Sequence, residues 1–184
     1  MEQMNQAYKV FTRICLNNWH YIDRKVLGLN ESINFFTGHS GSGKSTVIDA
    51  MQIVLYANTD GRGFFNKAAA DDSDRSLIEY LRGMINIGEN NQAEYKRNKN
   101  FSTTIVLEME QTITKEKECI GVVFDVETAT NEINRLFFWH KGELIPGDYR
   151  TESRAMTISE VRSYLQQNFP KDEMFYTSNN ERFR

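Results

Sequence analysis

Eight consecutive residues carry the chain's clearest chemistry. Gly38-His39-Ser40-Gly41-Ser42-Gly43-Lys44-Ser45 meets the spacing G-x-x-x-x-G-K-[ST] at every fixed position. Each residue type answers a requirement of triphosphate binding. Glycines reach positive φ and let main-chain N–H groups approach phosphate oxygens with no Cβ in the way. A helix opening near Lys44 brings its positive end to the same point. Lys44 is the candidate catalytic residue, a point charge for the β- and γ-phosphates; the Ser45 hydroxyl is the candidate Mg²⁺ ligand; Thr46 is placed to touch the α-phosphate. The expected cofactors are ATP and Mg²⁺. The expected binding set is Gly38, His39, Ser40, Gly41, Ser42, Gly43, Lys44, Ser45 and Thr46.

Other residues invite chemistry less strongly. Val122-Val123-Phe124-Asp125 is an apolar run ending in a carboxylate, the pattern of a strand that holds Mg²⁺ through aspartate. On that alternative the chain is a self-contained P-loop kinase or NTPase. The flanks TKEKE (114–118) and TATNE (128–132) read instead as hairpin ends, which favours a strand-edge carboxylate. The stretch Tyr95-Lys96-Arg97-Asn98-Lys99-Asn100, with Arg82 near it in sequence, is either a phosphate-contacting patch for DNA or a solvated loop. Phe137, Phe138 and Trp139 alternate faces on a strand, so packing is favoured over base stacking. His20, His39 and His140 lack metal-ligand spacing, and Cys15 and Cys119 read as small buried residues.

The elements that must position the loop follow from hydrophobic period. Strands are expected around 8–16, 24–29 and 32–37, the last leading into the glycine-rich loop. A helix follows over about 44–57, apolar nearly all round (Val47, Ile48, Ala50, Met51, Ile53, Val54, Leu55), which predicts burial. A second helix is expected over 73–82, with Gly83 just past its end. Segments 101–110, 119–126 and 133–139 read as an antiparallel meander. Thr157-Ile158-Ser159-Glu160 is a capping box that starts a last helix, stopped before Pro170. The expected fold is α/β: a P-loop layer carrying an antiparallel β lobe.

Composition bounds these readings. With 184 residues, 40% hydrophobic and 12% aromatic, the chain is long and apolar enough for one ordinary domain with a real core. No run of about 18 apolar residues predicts a membrane span, and MEQMNQAYKV lacks the pattern of a secretory signal. Two cysteines build neither a disulfide framework nor a four-ligand metal site. A formal net charge of −3 leaves DNA contact to a local basic patch. These features together predict a cytoplasmic protein.

The loop read with its flanks resembles a family. Cys15-Leu16-Asn17-Asn18-Trp19, a short strand and NFFTGHSGSGKSTVIDAMQIVLY (34–56) resemble the N-terminal head segment of SMC-type ATPases. The stretch RGFFNKAAADDSDRSLIEYLRG (62–83) looks closest to the MukB/MksB-like branch, in particular the SMC-like subunit of Wadjet plasmid-defence systems. The resemblance implies an ABC/SMC-type half-head over 1–184, stopping before a coiled-coil arm. It implies a C-terminal half that brings the signature motif, Walker B aspartate and catalytic glutamate. It also implies a second head closing over ATP, kleisin-like and accessory subunits, and DNA as the object moved, at the nucleoid. The glutamine loop of that family has no assignable position here.

Overall fold

The computed structural model describes residues 7–38, 43–57, 77–87 and 92–184. In chain order the elements are β1 (Lys9–Trp19), β2 (Ile22–Gly28), α1 (Lys44–Tyr56), α2 (Leu77–Arg82), β3 (Met84–Ile87), β4 (Ala93–Tyr95), β5 (Phe101–Gln111), β6 (Lys117–Glu127), β7 (Glu132–Lys141), α3 (Ile158–Asn168), β8 (Met174–Thr177) and α4 (Asn180–Phe183). One six-stranded sheet runs in the order β2-β1-β5-β6-β7-β8, every pair antiparallel. The expected meander is β5-β6-β7, and β1 docks against its β5 edge with Leu16 opposite Ile105. The fold is mixed α/β, dominated by this antiparallel sheet.

Alternation along the strands divides the core into two layers. Ile14, Leu16, Ile105, Leu107, Val122, Phe124 and Phe137 pack on the face that carries α1 and α2. Cys15, Val106, Cys119, Val123 and Phe138 pack on the opposite face, under Val161 and Leu165 of α3. Each fully buried side chain of this size stabilises by about 1.5–3 kcal/mol relative to exposure. The Phe137-Phe138-Trp139 run divides as strand geometry demands. Phe137 lies in the first layer and Phe138 in the second, while the Trp139 indole donates to Glu118 Oε2 at 3.2 Å.

The capping box forms in full. The Thr157 hydroxyl accepts from the Glu160 N–H, the Glu160 carboxylate accepts from the Thr157 N–H, and α3 ends at Phe169, before Pro170. Gly83 follows α2 with φ +66 and is pressed so close to the His20 carbonyl that a Cβ would lie 2.7 Å from its oxygen. Both left-handed backbone and this close approach select glycine there.

Two expectations are corrected. The strand expected at 32–37 does not form: residues 33–38 belong to no strand, and Ile33 and Phe35 face solvent, Phe35 at 83% exposure. Their strand-like composition has no ladder partner among the described residues. The helix expected to be buried all round is buried on one side alone. Thr46, Val47, Asp49, Ala50, Ile53 and Val54 face the sheet, while Ile48 and Leu55 stay 42% and 43% exposed. The β3-β4 hairpin, β8 and α4 had no clear sequence signal, being short. Residues 73–76 of the second expected helix lie outside the described residues, as does most of the 62–83 stretch.

Candidate functional site

The site begins where the loop becomes α1. Gly43 is the residue before the helix, at φ 90 and ψ 8, and no side chain caps it. With no side-chain cap at Gly43, the first N–H groups of α1 and the positive end of its dipole mark this point. The Lys44 Nζ donates to the Gly38 carbonyl at 2.6 Å. The first and seventh residues of the motif are thus brought together. An ammonium beside the N-terminus of α1 suits a polyphosphate and offers little to a cation. Ser45 stands half-buried at the second helical position and presents one hydroxyl suited to Mg²⁺. His39, Ser40, Gly41 and Ser42 lie outside the described residues.

Behind the loop stands an aromatic group that loop chemistry alone does not foretell. The tight turn between β1 and β2 presents Trp19, His20 and Tyr21 in succession. The Trp19 indole N–H donates to the Thr46 carbonyl at 2.7 Å, and the Tyr21 hydroxyl meets the Thr46 hydroxyl at 3.3 Å. A Cβ on Gly43 would lie 3.4 Å from the Tyr21 ring, so the phenol rests along the end of the loop. Tyr80 of α2 stacks on Trp19 with centroids 5.1 Å apart and donates its hydroxyl to buried Asp49 of α1 at 2.7 Å. Thr46 is itself buried, its hydroxyl bonded to Tyr21. The three adjacent aromatics at a strand end were the available signal for this support.

Asp125 is not near this chemistry. It alternates with Val122, Phe124 and Val126, which face α1, so its carboxylate leaves from the opposite side of the sheet. There Oδ1 accepts from the Ser102 hydroxyl at 2.7 Å and from the Ile158 N–H at 3.2 Å. A carboxylate at the start of α3 satisfies an orphan helix N–H and complements the dipole. Asp125 supports α3, and the Mg²⁺ role is withdrawn.

The basic stretch is spent largely on the protein itself. Arg97 is 8% exposed and donates to the carbonyls of His20, Leu81 and Ile22 at 2.5, 3.0 and 3.0 Å, and to Asp23 at 3.2 Å. Burial lowers the Arg97 pKa, opposed by the nearby Asp23 carboxylate. Lys96 Nζ donates to the Tyr21 carbonyl and to Asp23. Arg82 donates to the Arg97 carbonyl, Asn98 and Asn131 and lies over the Tyr95 ring. Lys99 alone of the run is exposed with no such internal role shown.

The cysteines behave as read. Both are free and buried, and desolvation pushes each thiol up to about 12. His140 is buried with Nε2 2.6 Å from the Tyr149 hydroxyl, and burial lowers its pKa. No helix among the described residues is long and apolar enough to cross a membrane.

Residues 11–72 match the family model described as the P-loop containing region of AAA domain. No curated protein matches the chain. The match spans β1, β2, the loop and α1, the parts that geometry joins into one site. Together they define a P-loop, nucleotide-binding region on a mixed α/β scaffold.

Proposed function

We propose that the chain is the phosphate-gripping half of an SMC-like ATPase head of the MukB/MksB-like branch, closest to the SMC-like subunit of Wadjet plasmid-defence systems. The observation that carries this reading is a P-loop helix with an unfinished environment. Ile48 and Leu55 on the outer side of α1, together with Ile33 and Phe35 ahead of the loop, are exposed apolar residues. On this proposal the other half of the head covers these positions. The sequence resemblance over 34–56 and 62–83 supports the same assignment.

On this reading ATP is held by the 38–46 loop, with Lys44 on the β- and γ-phosphates and the Ser45 hydroxyl as one ligand of Mg²⁺. The metal, when bound, neutralises charge that develops on the transferring phosphoryl group. The C-terminal half of the same head and a second head then complete the site, kleisin-like and accessory subunits associate with it, and ATP hydrolysis moves or loops DNA at the nucleoid. The Lys44→Ala variant is expected to lose ATP affinity by about a hundredfold or more, the scale of a lost charge-assisted contact in a dry site. Equilibrium titration with a fluorescent ATP analogue checks this. Undiminished affinity removes the loop from the mechanism and with it the whole reading.

A further inference from the structure

Arg97 makes four polar contacts, three of them to the 20–23 turn and the fourth to the Leu81 carbonyl of α2. Its Nη1 spans the His20 and Leu81 carbonyls, and its Nη2 spans the Ile22 carbonyl and Asp23 Oδ1. Lys96 adds a donor to the Tyr21 carbonyl. The main chain completes the junction: the His20 N–H donates to Tyr80 O, the Lys96 N–H to Gly83 O and the Arg97 N–H to Arg82 O. Tyr21 within this tethered turn and Trp19 just before it touch the start of α1. Tyr21 meets the Thr46 hydroxyl and lies along Gly43, while Trp19 bonds the Thr46 carbonyl.

We infer that Arg97 is a positioning residue for the triphosphate site, acting through the 20–23 turn to hold Tyr21 and Trp19 against Thr46 and so to fix the first turn of α1. This rests on the proposed ATP-binding reading. A guanidinium suits the task because its planar fork reaches several carbonyls at fixed angles, which an ammonium on a flexible stem does not. An arginine buried to this degree with three main-chain acceptors and one exposed carboxylate is costly to place unless each bond is made. The geometry is therefore stiff, and the stiffness is delivered to Tyr21 and Trp19, which touch the start of α1.

The test uses the full chain in a Trp139→Phe background, where Trp19 is the one remaining tryptophan. Four proteins are compared: this background, Tyr21→Phe, Arg97→Lys and the double variant, with Lys44→Ala as control. ATP affinity is read by titration, Trp19 emission on ATP addition by fluorescence, and folding by thermal unfolding. Tyr21→Phe removes one hydroxyl and keeps the ring, so its melting temperature is expected to stay within a degree or two while ATP affinity falls about three- to tenfold. Arg97→Lys is expected to weaken ATP binding about tenfold and to blunt the Trp19 response. The double variant is expected to be little weaker than Arg97→Lys, because one acts through the other. Unchanged ATP affinity in both single variants, with Lys44→Ala abolishing it, overturns the positioning role and leaves the ATP reading intact. Full affinity in Lys44→Ala overturns the ATP reading itself. If Arg97→Lys does not fold, unchanged affinity in Tyr21→Phe alone overturns the inference.

Discussion

Single side chains divide cleanly between ligand chemistry and support. The Lys44 ammonium rests on Gly38 O, an acceptor a phosphate oxygen can replace with a stronger, charged one. Asp125, a carboxylate closing an apolar run in sequence, is engaged with Ser102 and the start of α3. Asp125→Ala is therefore expected to cost about 1–2 kcal/mol of stability, the scale of a lost helix cap, with ATP affinity unchanged. Chemical denaturation and nucleotide titration on the same sample check both halves. A loss of nucleotide binding at constant stability returns Asp125 to the metal site.

Between elements, the sharpest electrostatic joint is Glu108 of β5. It is fully buried, accepts from Thr12 Oγ1 at 2.7 Å and Arg13 Nε at 2.9 Å of β1, and accepts from the Leu144 N–H at 3.0 Å beyond β7. One carboxylate thus fastens two strands and a loop. Burial raises its pKa and is the largest single influence, but the bonds from Arg13, Leu144 and Thr12 together prevail and hold it down to about 2. A folded-state value below the unfolded one contributes stability above about pH 5, which is lost as pH falls through that range toward about 2. The loss is on the order of 3 kcal/mol for a shift of this size. Glu108→Gln is expected to lower stability at pH 7 and to flatten the dependence between about pH 5 and 2. Urea midpoints across that range decide it, since a parallel dependence in the variant removes Glu108 as the cause.

At the level of the molecule, the two faces of the sheet are finished to different degrees. The α3 face is closed over Cys15, Val106, Val123 and Phe138, all buried. The α1 face buries its floor but leaves Ile48, Leu55 and Tyr56 exposed along the helix. Beyond the end of α1, a groove of about 380 Å³ is lined by Val54, Leu55, Ile120, Trp139, Phe175 and Phe183, with Arg182 and Arg184 also lining it. On the half-head proposal the groups that orient water for attack on a γ-phosphate come from the other half of the head. Residues 1–184 are accordingly expected to bind ATP and turn it over slowly or not at all. Single-turnover phosphate release checks this. Fast first-order release that survives dilution contradicts the half-head proposal.

Local patterns in the chain were sufficient for the loop, α1, the meander and the capped α3, because each is encoded by spacing within a few residues: glycine at fixed offsets, a period of two, Thr157 three before Glu160. Those signals need no knowledge of what lies across the core. What only the tertiary structure decided is which side each residue serves. Asp125 and Phe124 are neighbours in sequence, yet the pleat sends one to α3 and the other to α1. Arg97 looks like a free cation until the turn at His20 is brought 77 residues back onto it. The 32–37 segment reads as a strand, but a strand exists only when another supplies its hydrogen bonds, and that partner is a property of assembly in space and not of the segment.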